Sequence, residues 1–258
     1  LPGDEHGQLL TVDEFRPEIA RENLPYVVYV PPCYAQSTRR FPVLYLLHAR
    51  DSRQQQWLDI GVAGTLDRGI RLGSLPPMIV VMPFYGNIGA RNAFPPDASY
   101  ETALLEALLP AVETDFCTVE TRDQRAIGGV DRGAWWAFSL AFRYPDVFSA
   151  AGAHSGDFDE NVPAPVDPLE IARNSTLLPS ANLRLYLDNA ANDAGSRQQQ
   201  TLSDRLAARQ IAHTYIINPL GGRNNEYWAS HVSEYLTFYG EAWTRHYDDL
   251  PSCLEPSP

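Results

Sequence analysis

The stretch AIGGVDRGAWWAFSLAFRYPD (126–146) contains the first residue placed to do chemistry. Gly129 and Gly133 bracket Val130-Asp131-Arg132, with an apolar strand-like run before them and a helical run after. That is the outline of a nucleophile elbow, the sharp strand-to-helix turn that lifts one side chain out of a sheet. Its central residue here is aspartate, not serine. A carboxylate at that point could attack carbon and form a covalent ester. It could equally be a fixed charge, drawn to the N–H groups and the positive dipole of the helix start.

The elements that would position Asp131 alternate between short apolar runs and longer amphipathic ones, which predicts an α/β fold with a mostly parallel sheet and helices on both faces. Strands are expected at 24–30, 42–48, 77–83, 124–130, 148–154, 182–188 and 212–218, with an edge strand near 8–15. Helices are expected at 99–116, 132–144, 196–210 and 227–247. The acidic, proline-rich segment 157–180 reads as a loop excursion over the carboxyl edge of the sheet, where such folds place their sites. One domain over 1–258 is expected, with 1–23 as an edge segment and 248–258 as a tail. SRQQQ occurs at 52–56 and at 196–200, but the flanking residues do not match, so it marks no internal repeat.

Composition removes several function classes. The 258 residues are 44% hydrophobic and 20% charged, enough apolar material for a substantial core. Net charge is −12, and all 20 basic residues are arginines with no cluster to neutralise a phosphate backbone, which argues against nucleic acid. No apolar run reaches the roughly 18 residues of a membrane span. The chain opens at Leu1 with no signal-type segment, so a soluble, trimmed mature chain is expected, with export left open. Cys33, Cys117 and Cys253 are too few and scattered for a metal site, and no cofactor motif is present. Idle thiols are the plain reading; a bridge from Cys253 to hold the tail is the alternative.

Taken in order, FPVLYLLHA, WLDIGVAGTLDRGI, IVVMP, the elbow run through GAHSG, LYLDNAANDAG and GGRNNEYWASHVSEYLTFY resemble the esterase D-like group of α/β-hydrolases. That group includes feruloyl esterases, enterochelin esterases and mycolyltransferases, and the similarity spans roughly 24–245. The resemblance implies a Ser-His-Asp triad, and two of its three positions depart from it. Serine is replaced by Asp131. The late histidine of the family's GGH is replaced by Arg223, with Trp228 at the tryptophan that follows five residues on. Asp193 stands at the acid position. Arginine stays protonated and offers only donors, so it cannot act as the base. The resemblance further implies oxyanion-hole donors from the loop after LLH, here Ala49 and Arg50, and from the N–H of Arg132. Opposite charges at two positions that touch in the family fold imply an Asp131–Arg223 ion pair with Asp193 beside it.

This leads to the expectation of a catalytically degenerate esterase-like protein that binds a small ester-like, aromatic or sugar ligand, or a protein partner, in the old cleft. Homo-oligomerisation stays open. The alternative is a hydrolase acting on ester, alkyl or epoxide carbon with Asp131 as nucleophile. Loop aromatics Trp57, Phe84, Tyr85, Phe94, Tyr227 and Trp228, with His48 and His154, are candidate pocket residues. Trp135, Trp136 and Trp243 read as helix packing, and His213 and His231 as core or surface histidines. A carboxylate dyad could be drawn from Asp131 and Asp193 or from Glu226, and Ser139 or Ser155 could be a serine nucleophile, although neither serine lies in an elbow.

Overall fold

The computed structural model describes residues 6–158 and 161–254. Within them a sheet of eight strands runs in the order β1-β2-β4-β3-β5-β6-β7-β8. The strands are β1 Gln8–Val12, β2 Tyr26–Val30, β3 Val43–Leu47, β4 Ile79–Pro83, β5 Arg125–Val130, β6 Ala150–His154, β7 Arg184–Ala190 and β8 Thr214–Asn218. β1 and β2 pair antiparallel, as do β2 and β4, and the remaining neighbours are parallel. β2 through β6 are buried at every position, the continuous apolar pattern of strands covered on both faces.

The helices are α1 Gln56–Asp59, α2 Val62–Arg71, α3 Gly86–Ala90, α4 Tyr100–Thr102, α5 Leu109–Asp115, α6 Arg132–Arg143, α7 Pro168–Asn174, α8 Ser196–Ala208 and α9 Asn225–Gly240. Two hydrophobic clusters fill the space on either side of the sheet. One holds α5 and α6 residues such as Val112, Trp135, Trp136 and Phe138; the other holds Leu66 of α2 and Tyr235 and Tyr239 of α9.

Several expected elements differ in detail. The helix expected over 99–116 is α4 and α5 separated by a π-helical stretch, Ala103–Leu108, with the Ser99 hydroxyl accepting from Thr102 N–H at its start. Pro110, which has no N–H to give, lies just where the α ladder resumes. The helix expected over 227–247 ends at Gly240 and begins earlier, because the Asn224 side chain caps it by accepting from Tyr227 N–H. Segment 157–180 is not wholly a loop. It contains α7, started by Pro168 and by the Asp167 carboxylate accepting from Leu169 N–H; residues 159–160 lie outside the described part. Among the described residues no helix is long and apolar enough to cross a membrane.

The thiols at 117 and 253 are not idle. Cys117 and Cys253 form a disulfide across 136 residues of sequence, while Cys33 is a half-buried free thiol. The bridge fastens the tail beside the start of β3, where Cys253 N–H also donates to Thr38 O at 2.6 Å. A cross-link over so long a loop restricts the unfolded chain, so replacing both half-cystines with serine is expected to lower unfolding free energy by about 2–4 kcal/mol. Urea unfolding of the variant and of the oxidised protein checks this, and an unchanged midpoint would show that the bridge contributes nothing.

Candidate functional site

The elbow is a turn that the local sequence makes possible and the neighbours make tight. Asp131 follows β5 with φ 54° and ψ −118°, outside the ordinary regions for an L residue. Gly129 and Gly133 are both required by close approach. A Cβ on Gly129 would come within 2.3 Å of the Gly133 carbonyl carbon, and one on Gly133 within 2.4 Å of Leu47 O. The turn is held from behind by Asp131 N–H donating to His154 O at 3.1 Å and by Asp157 N–H donating to Asp131 O at 3.1 Å.

Three loops at the carboxyl edge bring Asp131, Asp193 and Arg223 together. Arg223 Nη1 donates to Asp131 Oδ1 at 2.9 Å, and its Nε donates to Asp193 Oδ1 at 3.1 Å. Nη2 lies 3.0 Å from that same Asp193 oxygen as a charge contact, without hydrogen-bond geometry. Asp193 Oδ1 also accepts from Gly195 N–H at 2.7 Å. A fourth residue, Asp157, joins from the loop after β6, with Oδ2 3.8 Å from Arg223 Nη1 and 3.5 Å from Arg50 Nη2. Side-chain exposure is 11% for Asp131, 22% for Arg223 and 0% for Asp193, so the cluster is mostly withdrawn from water.

The residues assigned to the oxyanion hole divide three ways. Arg50 N–H donates to Asp131 Oδ2 at 2.9 Å, so the carboxylate occupies one of the implied donors. Ala49 N–H is directed elsewhere, to Gln56 Oε1 at 2.7 Å. Arg132 begins α6, yet the Asp131 side chain caps none of the first helical N–H groups, because Arg223 and Arg50 hold its two oxygens on the other side. The Arg132 side chain is buried over the rings of Trp135 and Trp136 and donates to Asn92 Oδ1 at 2.8 Å.

Most of the rings expected to line a pocket are instead packed in the core. Trp57, Tyr85, Tyr227 and Trp228 are buried, as are His48 and His154. Trp57 donates from Nε1 to Leu47 O, and the Tyr85 hydroxyl donates to Ala49 O. Phe84 and Phe94 remain half-buried, Phe84 beneath the Arg53 guanidinium and Phe94 against Trp135 and Trp136. His48 stacks on Tyr85 with ring centres 3.9 Å apart, donates from Nδ1 to Ala49 O and accepts at Nε2 from Tyr85 N–H. Burial pushes its pKa down to about 4, which leaves a neutral imidazole that clips the two loops.

His154 belongs to a buried hub. Its Nδ1 lies 2.6 Å from Asp188 Oδ1, and its Nε2 lies 2.9 Å from the Tyr239 hydroxyl. Tyr227 and Tyr235 donate to Asp188 Oδ2 at 2.7 and 2.9 Å. Burial, with the Asp188 carboxylate second, pushes the pKa values of Tyr227, Tyr235 and Tyr239 up, so all three stay protonated donors. Ser139 donates to Val166 O inside the core, and Ser155 is fully buried. His213 accepts or donates at Ser203, and His231 sits against Tyr227 on α9. Glu226 lies in the first turn of α9 and lines an open pocket of about 550 Å³ that Leu220, Gly221 and His231 also border. Among the described residues no group of three or more His, Cys, Asp or Glu could hold a metal ion.

Asp157, Gln56 and Gln199 escaped the sequence reading. Gln56 ties the loop after β3 to α9 by donating to Asn225 Oδ1, and Gln199 donates to Asp188 O and Asn189 Oδ1. Both fall in the two SRQQQ strings, whose one signal was repeated glutamine beside predicted strand ends.

A family model described as "Putative esterase" matches residues 18–241, which is most of the chain. The chain belongs to that family. An esterase of Mycobacterium tuberculosis is 34% identical over 137 residues, covering 50% of this chain and 28% of its own length. A protein of Xylanibacter ruminicola named endo-1,4-beta-xylanase/feruloyl esterase is 30% identical over 141 residues, covering 50% of this chain and 19% of its own length. The chain thus spans less than a third of the curated relatives it matches. Among solved structures, a ferulic acid esterase superposes with a TM-score of 0.84 at 22% identity, covering 92% of this chain and 99% of that one. An S-formylglutathione hydrolase from Agrobacterium tumefaciens gives 0.76 at 13% identity, covering 93% and 96%. At such identities these likenesses establish the α/β-hydrolase fold alone.

Gly195 tests whether the seat of Arg223 matters to the fold. A Cβ there would lie 1.8 Å from Arg223 Nη2, whereas one on Gly222 would meet nothing closer than 3.5 Å. Gly195→Ala is therefore expected to displace the guanidinium and cost about 1–3 kcal/mol, with Gly222→Ala close to neutral. Thermal unfolding of the pair checks it, and equal midpoints would mean that Arg223 is loosely held.

Proposed function

We propose that this member of the esterase family is catalytically degenerate, with aspartate and arginine at the serine and histidine positions, and that it serves as a binding protein. The observation that carries this reading is the contact of Arg223 Nη1 with Asp131 Oδ1 at 2.9 Å. Serine-type ester cleavage needs a hydroxyl nucleophile, a base of near-neutral pKa to take its proton and an acid to orient that base. The first two roles have no occupant able to fill them. Asp131 has no proton to lose on attack, and a guanidinium cannot accept one. Asp193 keeps its place but orients a cation rather than an imidazole.

The placement of Asp131 Oδ2 on Arg50 N–H also bears on the aspartate-nucleophile alternative, because a carboxylate held in an oxyanion hole by one oxygen could attack with the other. Here the other oxygen is the one that Arg223 holds. The ester formed would then need an activated water, and the residue at the base position cannot activate it. Binding of an ester-like, aromatic or sugar ligand, or of a protein partner, is the role left to a site whose base position holds a guanidinium. The relatives named as esterases make the kinetic test the decisive one.

Hydrolysis of p-nitrophenyl acetate and butyrate by the natural protein is expected to match buffer, while Asp131→Ser/Arg223→His gains turnover at matched folding. A rate for the natural protein well above buffer, or a covalent mass adduct on Asp131 after an alkylating substrate, would overturn the binding reading.

A further inference from the structure

The sheet ends on β8, and among the described residues no strand pairs with its outer edge. Asn218 O accepts from the N–H of Ala191, which follows β7, so alternation turns the backbone N–H and C=O groups of Tyr215 and Ile217 outward. Folds usually blunt such an edge with charge or proline. Thr214–Asn218 contains neither, and Ile217 is 50% exposed.

Side chains of β8 alternate between the two faces of the sheet. The Tyr215 hydroxyl donates to Ser196 O at the start of α8, which puts Ile217 on the α8 face, whereas Asn218 donates to the Tyr227 hydroxyl of α9 on the other. At Asn218 that second face opens into the pocket of about 550 Å³. Its wall is apolar at Pro219 and at Leu220, which is 81% exposed, and its polar groups include the exposed Glu226 and the half-buried His231. His231 Nδ1 donates to Tyr227 O at 2.8 Å, which leaves Nε2 as an acceptor. The start of α9 is no anion site, because Asn224 already caps it. A carboxylate and an imidazole acceptor beside an apolar wall suit a side chain with an alkyl stem and a cationic head.

We propose that the outer edge of β8 docks an extended segment of another protein, which adds a further strand to the sheet and carries an apolar residue next to a lysine or arginine. The apolar residue lies beside Ile217 on the α8 face. Its neighbour in sequence then falls beside Asn218 on the opposite face and brings its cationic head to Glu226 in the pocket. Charge selects this occupant over a second copy of the chain. In a β8-to-β8 pair the incoming strand would be Thr214–Asn218, which has no cation for Glu226, and each chain carries a net charge of −12. The inference rests on the reading of the protein as a binder and gives that binder a partner.

The blocked octapeptide acetyl-Thr-Val-Thr-Ile-Arg-Thr-Val-Thr-amide, titrated into the isotope-labelled full chain and followed by backbone amide shifts, tests the proposal beside a counterpart with glutamate in place of arginine. The arginine peptide is expected to bind about tenfold more tightly, since one ion pair is gained and one like-charge contact avoided. Its shifts should centre on Tyr215, Ile217 and the first turn of α9. Glu226→Gln should remove most of the difference between the peptides, and Ile217→Lys, which puts a charge on the edge, should abolish binding of both. Both residues are exposed, so unfolding midpoints of the two variants are expected to stay at the natural value.

No binding of either peptide, equal binding of the two, or shifts away from β8 and α9 overturns the proposal. So does a dimer in sedimentation that Ile217→Lys dissociates, because it assigns the edge to a second copy. Ester hydrolysis by the same natural protein is a separate readout. Turnover together with peptide binding removes the non-catalytic reading alone, and a silent esterase assay without peptide binding removes this inference alone.

Discussion

The guanidinium of Arg223 is the constraint around which the carboxyl edge of the sheet is organised. Without it, the Asp131, Asp157 and Asp193 carboxylates would converge in a space mostly closed to water, and their mutual repulsion would have to be relieved by protonation or by movement of a loop. With it, the turn after β5 and the loops after β6, β7 and β8 share one charged centre. The partly exposed arginine softens the electrostatic gain, but the buried Asp193 makes loss of the cation costly, since a buried charge stripped of its partner has no compensation.

That centre stands on a second polar assembly behind the sheet edge. His154 at the end of β6, Asp188 in β7 and Tyr227, Tyr235 and Tyr239 of α9 satisfy one another where no water reaches. The hub fixes α9 against β6 and β7, and Asn224, the cap of α9, is the residue next to Arg223. The same hub presents His154 O to Asp131 N–H and Asp188 O to Ser155 N–H. A buried network of this kind gives positional precision only while every member is paired, and the strand ends that carry the site inherit that precision.

Much of this was legible in the chain because the signals were redundant. Each parallel strand is a short, continuous apolar run between helical patterns, and the paired glycines around Asp131 mark a turn that only a strand-to-helix elbow requires. The resemblance implied that Asp131 and Arg223 touch, and their opposite charges do meet at 2.9 Å. What stayed hidden depended on atoms rather than on pattern. Asp157 sits in a run of acidic residues that reads as solvated loop, and its approach to Arg223 follows from the path of the chain after β6. The aromatics were expected at a pocket because the resembled family places those segments around one, yet Trp57 and Tyr85 turn inward to find carbonyl partners. α2 was passed over although Val62, Leu66 and Gly69 fall on one buried face, and α7 was masked by the prolines and acids around its start.

The central claim is that Asp131 and Arg223 act as a bound pair and not as two separate residues. A double-mutant cycle with Asp131→Asn, Arg223→Gln and the combined variant, followed by urea unfolding, measures that coupling without reference to any ligand or substrate. A coupling free energy of about 2 kcal/mol or more is predicted for partners sharing one buried network. Additivity of the two single changes to within about 0.5 kcal/mol would mean that the pair is geometric proximity alone and would contradict a structural ion pair at this site.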